Sequence, residues 1–189
     1  MSRRLFHTGE MMKASVYIAT SLDGFIAREN GNLDWLPNGN SEAGGEDYGY
    51  QEFMTTIDIL VMGRNTFEKV MTFGEWPYQE KPVIVLSHGS VEIPQCLTQT
   101  VEVLFCSPRD LMERLAQRRM QHAYIDGGKT IQGFLREGLI DEIIITRVPI
   151  LLGKGLRLFG PLEQDIRLRH HGTRAYPNGL VQSRYAVER

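Results

Sequence analysis

The chain has 189 residues, 42% of them hydrophobic and 23% charged, the balance of one ordinary globular domain. With 21 basic and 23 acidic residues it carries a net charge of −2, so no global electrostatic footprint for nucleic acid or an anionic membrane exists. No apolar run approaches the ~20 residues of a membrane helix, the polar N-terminus lacks a signal-peptide core, and two cysteines, Cys96 and Cys106, are too few for a disulfide scaffold or a four-cysteine zinc site. A reduced, cytoplasmic protein is expected, with no metal and neither nucleic acid nor membrane as a partner.

Residues 1–12 match no element pattern and read as a flexible extension before one domain over 13–189. Lys13–Ala19 is rich in β-branched and aromatic residues and reads as a strand. Thr20–Ala27 reads as a turn built on Asp23-Gly24, followed by a polar, Gly-rich stretch from Asn30 to Gly45. Tyr50, Phe53, Met54 and Ile57 recur at helical spacing, which predicts a helix over Glu46–Thr56. Ile57–Met62 is a buried-strand candidate, Asn65–Met71 a short helix, and Pro82–Leu86 and Val101–Phe105 short strands. Ser107–Met120 opens with a capping serine, a proline suited to the first turn, and Asp110 at the positive helix end. His122–Ile125 reads as a strand, Thr130–Glu137 as a helix stopped by Gly138, and the Ile-rich run Asp141–Ile150 as a strand buried on both faces. Arg167–Ala175 and Leu180–Val187 predict a closing antiparallel pair. Strands alternating with single helices imply a three-layer α/β domain with a mostly parallel central sheet and antiparallel C-terminal strands.

Two strand–turn–helix junctions carry the chemistry. In Leu60-Val61-Met62-Gly63-Arg64-Asn65-Thr66 a glycine permits close backbone approach and Arg64 offers a cationic fork to a phosphate monoester. The alternative is a tight βα turn with a solvated arginine. Tyr124-Ile125-Asp126-Gly127-Gly128-Lys129-Thr130 nearly spells a triphosphate-binding loop, but Ala123 stands where its first glycine belongs and the loop positions look like strand interior. Two glycines opening a helix still suit a dinucleotide pyrophosphate, or serve packing alone. The five histidines have no zinc-deaminase context, and no nucleophile elbow is present, so hydrolysis has little support. Glu46-Asp47 either complements a helix dipole or puts a carboxylate in a cleft.

Taken together, Ser21-Leu22-Asp23-Gly24-Phe25-Ile26-Ala27, Met62-Gly63-Arg64-Asn65-Thr66-Phe67-Glu68, Val85-Leu86-Ser87, Gly127-Gly128, Leu139-Ile140-Asp141-Glu142 and Pro149-Ile150-Leu151-Leu152-Gly153-Lys154-Gly155 form an ordered set. The set resembles the dihydrofolate reductase superfamily, in particular the branch holding the reductase domain of bacterial riboflavin biosynthesis. The resemblance implies a dihydrofolate reductase-like fold and NADPH as hydride donor. By position, Ala19 and Ile26 would border the nicotinamide, and Gly63, Arg64, Asn65 and Thr66 the adenosine 2′-phosphate. Leu86 and Ser87 would flank the adenine, and Gly127, Gly128, Lys129 and Thr130 would meet the pyrophosphate. Asp47, 16 residues before Gly63, matches the acid that supports pterin protonation in folate reductases, and Trp35 matches the tryptophan of their mobile loop. Partial burial of Asp47 in a cleft would raise its pKa. Gly44-Gly45, and Gln51 in place of an aromatic, depart from the folate pattern. The expected activity is reduction of a pyrimidine- or pterin-like small molecule. The first substrate candidate is 5-amino-6-(5-phosphoribosylamino)uracil and the runner-up dihydrofolate, with a non-catalytic nucleotide-binding protein as the alternative. The branch also implies a homodimer.

Overall fold

The computed structural model describes residues 12–37 and 46–188. Apart from Met12, the expected N-terminal extension lies outside the described residues, as does Gly44-Gly45. In chain order the elements are β1 (Lys13–Ser21), β2 (Phe25–Ala27), α1 (Tyr50–Thr55), β3 (Ile59–Gly63), α2 (Arg64–Val70), β4 (Val83–Leu86), β5 (Val101–Leu104) and α3 (Pro108–Gln117). There follow β6 (His122–Asp126), α4 (Gly128–Arg136), β7 (Glu142–Val148), β8 (Leu156–Arg157), β9 (Leu168–Ala175) and β10 (Val181–Val187). The main sheet has the order β5-β4-β3-β6-β1-β7-β10-β9. Strands β5 through β7 in that order run parallel, and β10 pairs antiparallel with both β7 and β9.

Strand alternation divides the core into two layers, because successive side chains leave a strand on opposite faces. Val16, Val61, Ile84, Ile125 and Ile143 pack against Leu111 and Leu115 of α3 and Ile131 and Phe134 of α4. Leu60, Met62, Val85, Tyr124 and Ile144 pack on the other face against Phe53 of α1 and Phe67 and Val70 of α2. Ile143–Ile145 of β7 form an uninterrupted apolar run because both faces of the sheet are covered there. Ser107 caps α3 as its composition predicts, accepting a hydrogen bond from the Asp110 amide at 3.1 Å.

Three expectations need correction. Thr20–Ala27 is not all turn: β1 continues to Ser21, and β2 pairs antiparallel with β8, a two-residue strand without a pattern of its own. The helix over Glu46–Thr56 starts only at Tyr50, because Tyr48 and Gly49 adopt left-handed φ values of 58° and 85° that a helix cannot include. Helix α4 starts at Gly128 rather than Thr130, directly after the turn residue Gly127.

Candidate cofactor and substrate site

β3 and β6 are parallel neighbours with Met62 opposite Asp126, so their carboxyl ends deliver Gly63 and Gly127 side by side. The two junctions interlock. A Cβ on Gly63 would lie 3.0 Å from Oγ1 of Thr130, and one on Gly127 would lie 2.2 Å from Oγ1 of Thr66. Each glycine thus admits the threonine of the other junction, and Gly127 also holds φ near +86°, a conformation that favours glycine. The crevice beyond the carboxyl ends of a parallel sheet is where open α/β folds bind ligands.

The sequence-derived cofactor residues distribute around this point. Helix α4 presents the unpaired amides of its first turn, beginning at Gly128, and a Cβ on Gly128 would come 2.8 Å from Cδ1 of Ile26. Ile26 of β2 therefore lies against the helix start, and Ala19, half-buried on β1, faces Thr146 of β7 in register. On the far side, exposed Arg64 pairs through Nε with Glu68 at 3.4 Å. Its Nη1 sits 3.7 Å from where a Gly89 Cβ would stand, just past β4. There Ser87, next to Leu86, donates to the Gly89 carbonyl at 2.8 Å and accepts from the Gly89 amide at 3.1 Å. Asn65 and Lys129 are exposed in the first turns of α2 and α4. This donor set fits a dinucleotide phosphate: open helix amides, two threonines, one guanidinium and an apolar lid.

Asp47 is not where the spacing put it. It precedes α1, and its carboxylate accepts from the amides of Gly49 at 3.0 Å and Gln51 at 2.8 Å. Those Gln51 and Gly49 amides hold its carboxyl below the ordinary aspartate value, the reverse of the rise expected for a cleft acid. Geometrically it secures the entry to the helix.

A second carboxylate, Asp126, to which the sequence motifs assign no role, lies at the glycine turns themselves. It ends β6 between the two glycine turns, accepts from the Gly127 amide at 2.7 Å, and is half-buried. Burial pushes its carboxyl up to about 6, and the Gly127 amide only partly offsets this. Burial first, and then the Asp126 charge, raise the hydroxyls of Tyr50 and Tyr78 above the phenol range, as they do for fully buried Tyr124. Aromatic packing continues from there within the core: Tyr50 meets Tyr17 at 5.5 Å between ring centroids, and Phe53 meets Tyr17 at 4.8 Å and Tyr124 at 5.2 Å. The Tyr17 hydroxyl donates to the Tyr48 carbonyl at 2.6 Å, and burial moves its pKa to about 12. The available signal was a carboxylate at a strand's last position directly before two glycines, which the comparison with phosphate-binding loops obscured.

The remaining motif residues brace the site. The Asp23 carboxylate takes the Ser21 hydroxyl at 2.6 Å and the amides of Leu152 at 3.1 Å and Gly153 at 2.7 Å. Chiefly the Ser21 hydroxyl, with those amides, lowers Asp23 to about 2. A Cβ on Gly155 would lie 2.3 Å from the Ala27 carbonyl oxygen, so the strand pair β2–β8 forms only with glycine there. The segments 21–27 and 149–155 are thus two halves of one brace that places Ile26 over α4. Trp35 packs with Val148, Tyr176 and Leu180, away from the glycine turns.

Residues 13–182 match the RibD C-terminal domain family. The chain belongs to that family. It is 37% identical over 166 residues to the uncharacterised Bacillus subtilis (strain 168) protein YwjB, covering 87% of this chain and 92% of YwjB. A protein from Shewanella sp. PV-4 provisionally assigned to riboflavin biosynthesis shares 43% identity at a TM-score of 0.86, covering 94% of this chain and 100% of that one. The bifunctional deaminase/5-amino-6-(5-phosphoribosylamino)uracil reductase of Thermotoga maritima has a TM-score of 0.71 at 14% identity, covering 94% of this chain and 57% of its own, and shares the fold. The domain is therefore related to the riboflavin-biosynthesis reductases and has the dihydrofolate reductase-like fold expected from its motifs. Among the described residues no helix is long and apolar enough to cross a membrane, and no cluster of potential metal ligands occurs.

Proposed function

We propose that this protein is an NADPH-dependent reductase of a pyrimidine- or pterin-like small molecule, with 5-amino-6-(5-phosphoribosylamino)uracil as the first substrate candidate. The observation that carries the reading is the interlocked pair of glycine turns with a half-buried carboxylic acid between them. The cofactor supplies a hydride from its nicotinamide when bound. This chain's residues supply the rest. Gly128 and the following amides of α4 hold the pyrophosphate, Thr66 and Thr130 line the same notch, and Arg64 meets the 2′-phosphate. Ile26 keeps water from the nicotinamide side, and half-buried Tyr50 orients a flat heterocycle next to Asp126. Reduction of a C=N or C=O bond needs one proton at nitrogen or oxygen, and a carboxyl near 6 retains a protonated fraction at neutral pH to deliver it. In this reading Asp47 shapes the turn into α1 and is not the acid.

Fluorescence titration with both cofactors, paired with turnover assays, tests the proposal. NADPH should bind more tightly than NADH, and Arg64→Ala should remove roughly 1–3 kcal/mol of that preference, the worth of hydrogen bonds to a charged group. Equal affinities for the two cofactors in the unaltered protein would overturn the assignment. Tight binding without oxidation of NADPH in the presence of any pyrimidine or pterin candidate would favour a nucleotide-binding module.

A homodimer is part of the same proposal. The free edge strand β9 carries Arg169 and Arg174, which would oppose one another if two copies paired antiparallel about its centre, so edge pairing is disfavoured. The contact proposed instead is the face of the C-terminal sheet, where the Tyr185 and His170 rings meet tilted at 5.4 Å between centroids. Light scattering at micromolar concentration should give twice the chain mass; the monomer mass would refute the pairing.

A further inference from the structure

At the edge of the sheet away from the glycine turns, a line of buried polar groups crosses β6, β1 and β7. His122 Nδ1 lies 3.1 Å from the carbonyl oxygen of Thr56, and its Nε2 lies 2.8 Å from Ser15 Oγ. Ser15 Oγ is in turn 3.3 Å from Oε2 of Glu142. Both ends of this line only accept: one is a peptide carbonyl, the other a carboxylate. Three hydrogen bonds need three protons, and a neutral imidazole plus a hydroxyl supply two. With His122 neutral, the Ser15 proton either turns to Nε2 and abandons Glu142, or stays on Glu142 while a bare Nδ1 faces the Thr56 carbonyl. An imidazolium completes all three.

The surrounding charges are balanced against each other. Burial works against ionisation of Glu142, but Arg184 of β10 and Lys13 of β1, the latter 2.9 Å away, outweigh it and hold the carboxyl low. Burial and the Lys13 charge oppose ionisation of His122, while the Thr56 carbonyl, Glu142 and Asp58 favour it; the balance lies below the ordinary histidine value. Asp58 is engaged with the amides of Gln121 and His122, at 2.7 and 3.0 Å, and Asp141 with the Ala14 amide at 2.8 Å.

We propose that Ser15, His122 and Glu142 form a proton-operated clasp: uptake of one proton in mild acid completes the hydrogen-bonded line and fastens the end of α1 to the sheet. Thr56 is the residue that closes α1, and the Phe53 ring stands edge-on to the imidazole at 6.2 Å. Phe53 and Tyr50 belong to the same short helix, and Tyr50 is half-buried against the Tyr17 and Tyr124 rings. Through Phe53, proton occupancy at His122 reaches Tyr50 one turn away on the same helix. The clasp does not depend on the reductase reading.

NMR titration of the full chain from about pH 8 down to about 4 tests it, a window that reaches below the range in which an ordinary histidine changes charge. The His122 ring should titrate, and the Phe53 and Tyr50 ring signals should move with the same midpoint. Ser15→Ala removes the acceptor for Nε2–H and should lower that midpoint by about one pH unit, a tenfold loss of proton affinity. His122→Gln offers an amide to Thr56 and a carbonyl to Ser15 but binds no proton, so its α1 signals should be independent of pH. An unchanged midpoint in Ser15→Ala would overturn the clasp. So would α1 signals that ignore the His122 titration, or that still titrate in His122→Gln.

Discussion

Asp126→Asn should lower turnover by about 10²–10⁴, the usual contribution of a positioned general acid, while leaving NADPH affinity nearly unchanged. The amide keeps the size and the carbonyl that accepts from the Gly127 N–H, so the turn survives and only the proton is lost. Stability should move in the opposite direction. In the folded protein this carboxyl titrates at about 6 against an ordinary value of 3.8, so above pH 6 its charge is more costly in the folded than in the unfolded chain. That cost fades as pH falls from about 6 towards 4 and vanishes below the ordinary value. Asparagine carries no such charge. The variant should melt higher than the parent at pH 7.5, by an amount bounded by about 3 kcal/mol, and lose the advantage near pH 4. For the parent, kcat/KM should fall as pH rises through about 6. Asp47→Asn is the control: it loosens the hold on the Gly49 and Gln51 amides, lowers the melting temperature by a few degrees, and leaves turnover within about twofold. If Asp47→Asn abolishes turnover and Asp126→Asn does not, the roles are reversed.

The contrast between these carboxylates marks where sequence reasoning reached its limit. The strands and their mostly parallel sheet can be anticipated because β3, β6 and β7 contain apolar runs that end at glycine or turn residues, and both glycine junctions are visible as such. What a linear reading could not show is that the junctions meet. Gly63 and Gly127 are 64 positions apart, and only the parallel register of β3 with β6 sets each against the other's threonine. Asp47 was favoured by its distance to Gly63, but spacing is blind to the left-handed Tyr48 and Gly49 that delay the helix and turn the carboxylate onto local amides. Strand β8 has no signal in the sequence because two residues paired across 129 and 132 positions have no periodicity to detect; the long-range hydrogen bonds of Asp23 brace the segment that leads into it.

Gly128→Val should remove NADPH binding, by at least about 100-fold, from a protein that still folds. Gly128 does not use a left-handed conformation, so a side chain there carries no backbone penalty, and the nearest obstacle is the flexible end of Ile26 at 2.8 Å. That obstacle can rotate away. The valine methyls would then occupy the approach to the first amides of α4, where a pyrophosphate must come within hydrogen-bonding distance of the backbone. Gly127→Ala should behave differently. Its Cβ would lie 2.2 Å from Thr66 Oγ1, and its φ of +86° is one that L side chains rarely adopt, so the change should destabilise the fold by roughly 1–3 kcal/mol. Thr66→Ala removes the steric part of that cost and not the backbone part, so the double variant should recover some of the stability but not all. Melting curves and cofactor titrations on the four proteins separate the two glycines. A Gly128→Val protein that binds NADPH normally would show that the second glycine serves packing alone, and the pyrophosphate would then have to be sought elsewhere along the carboxyl edge of the sheet.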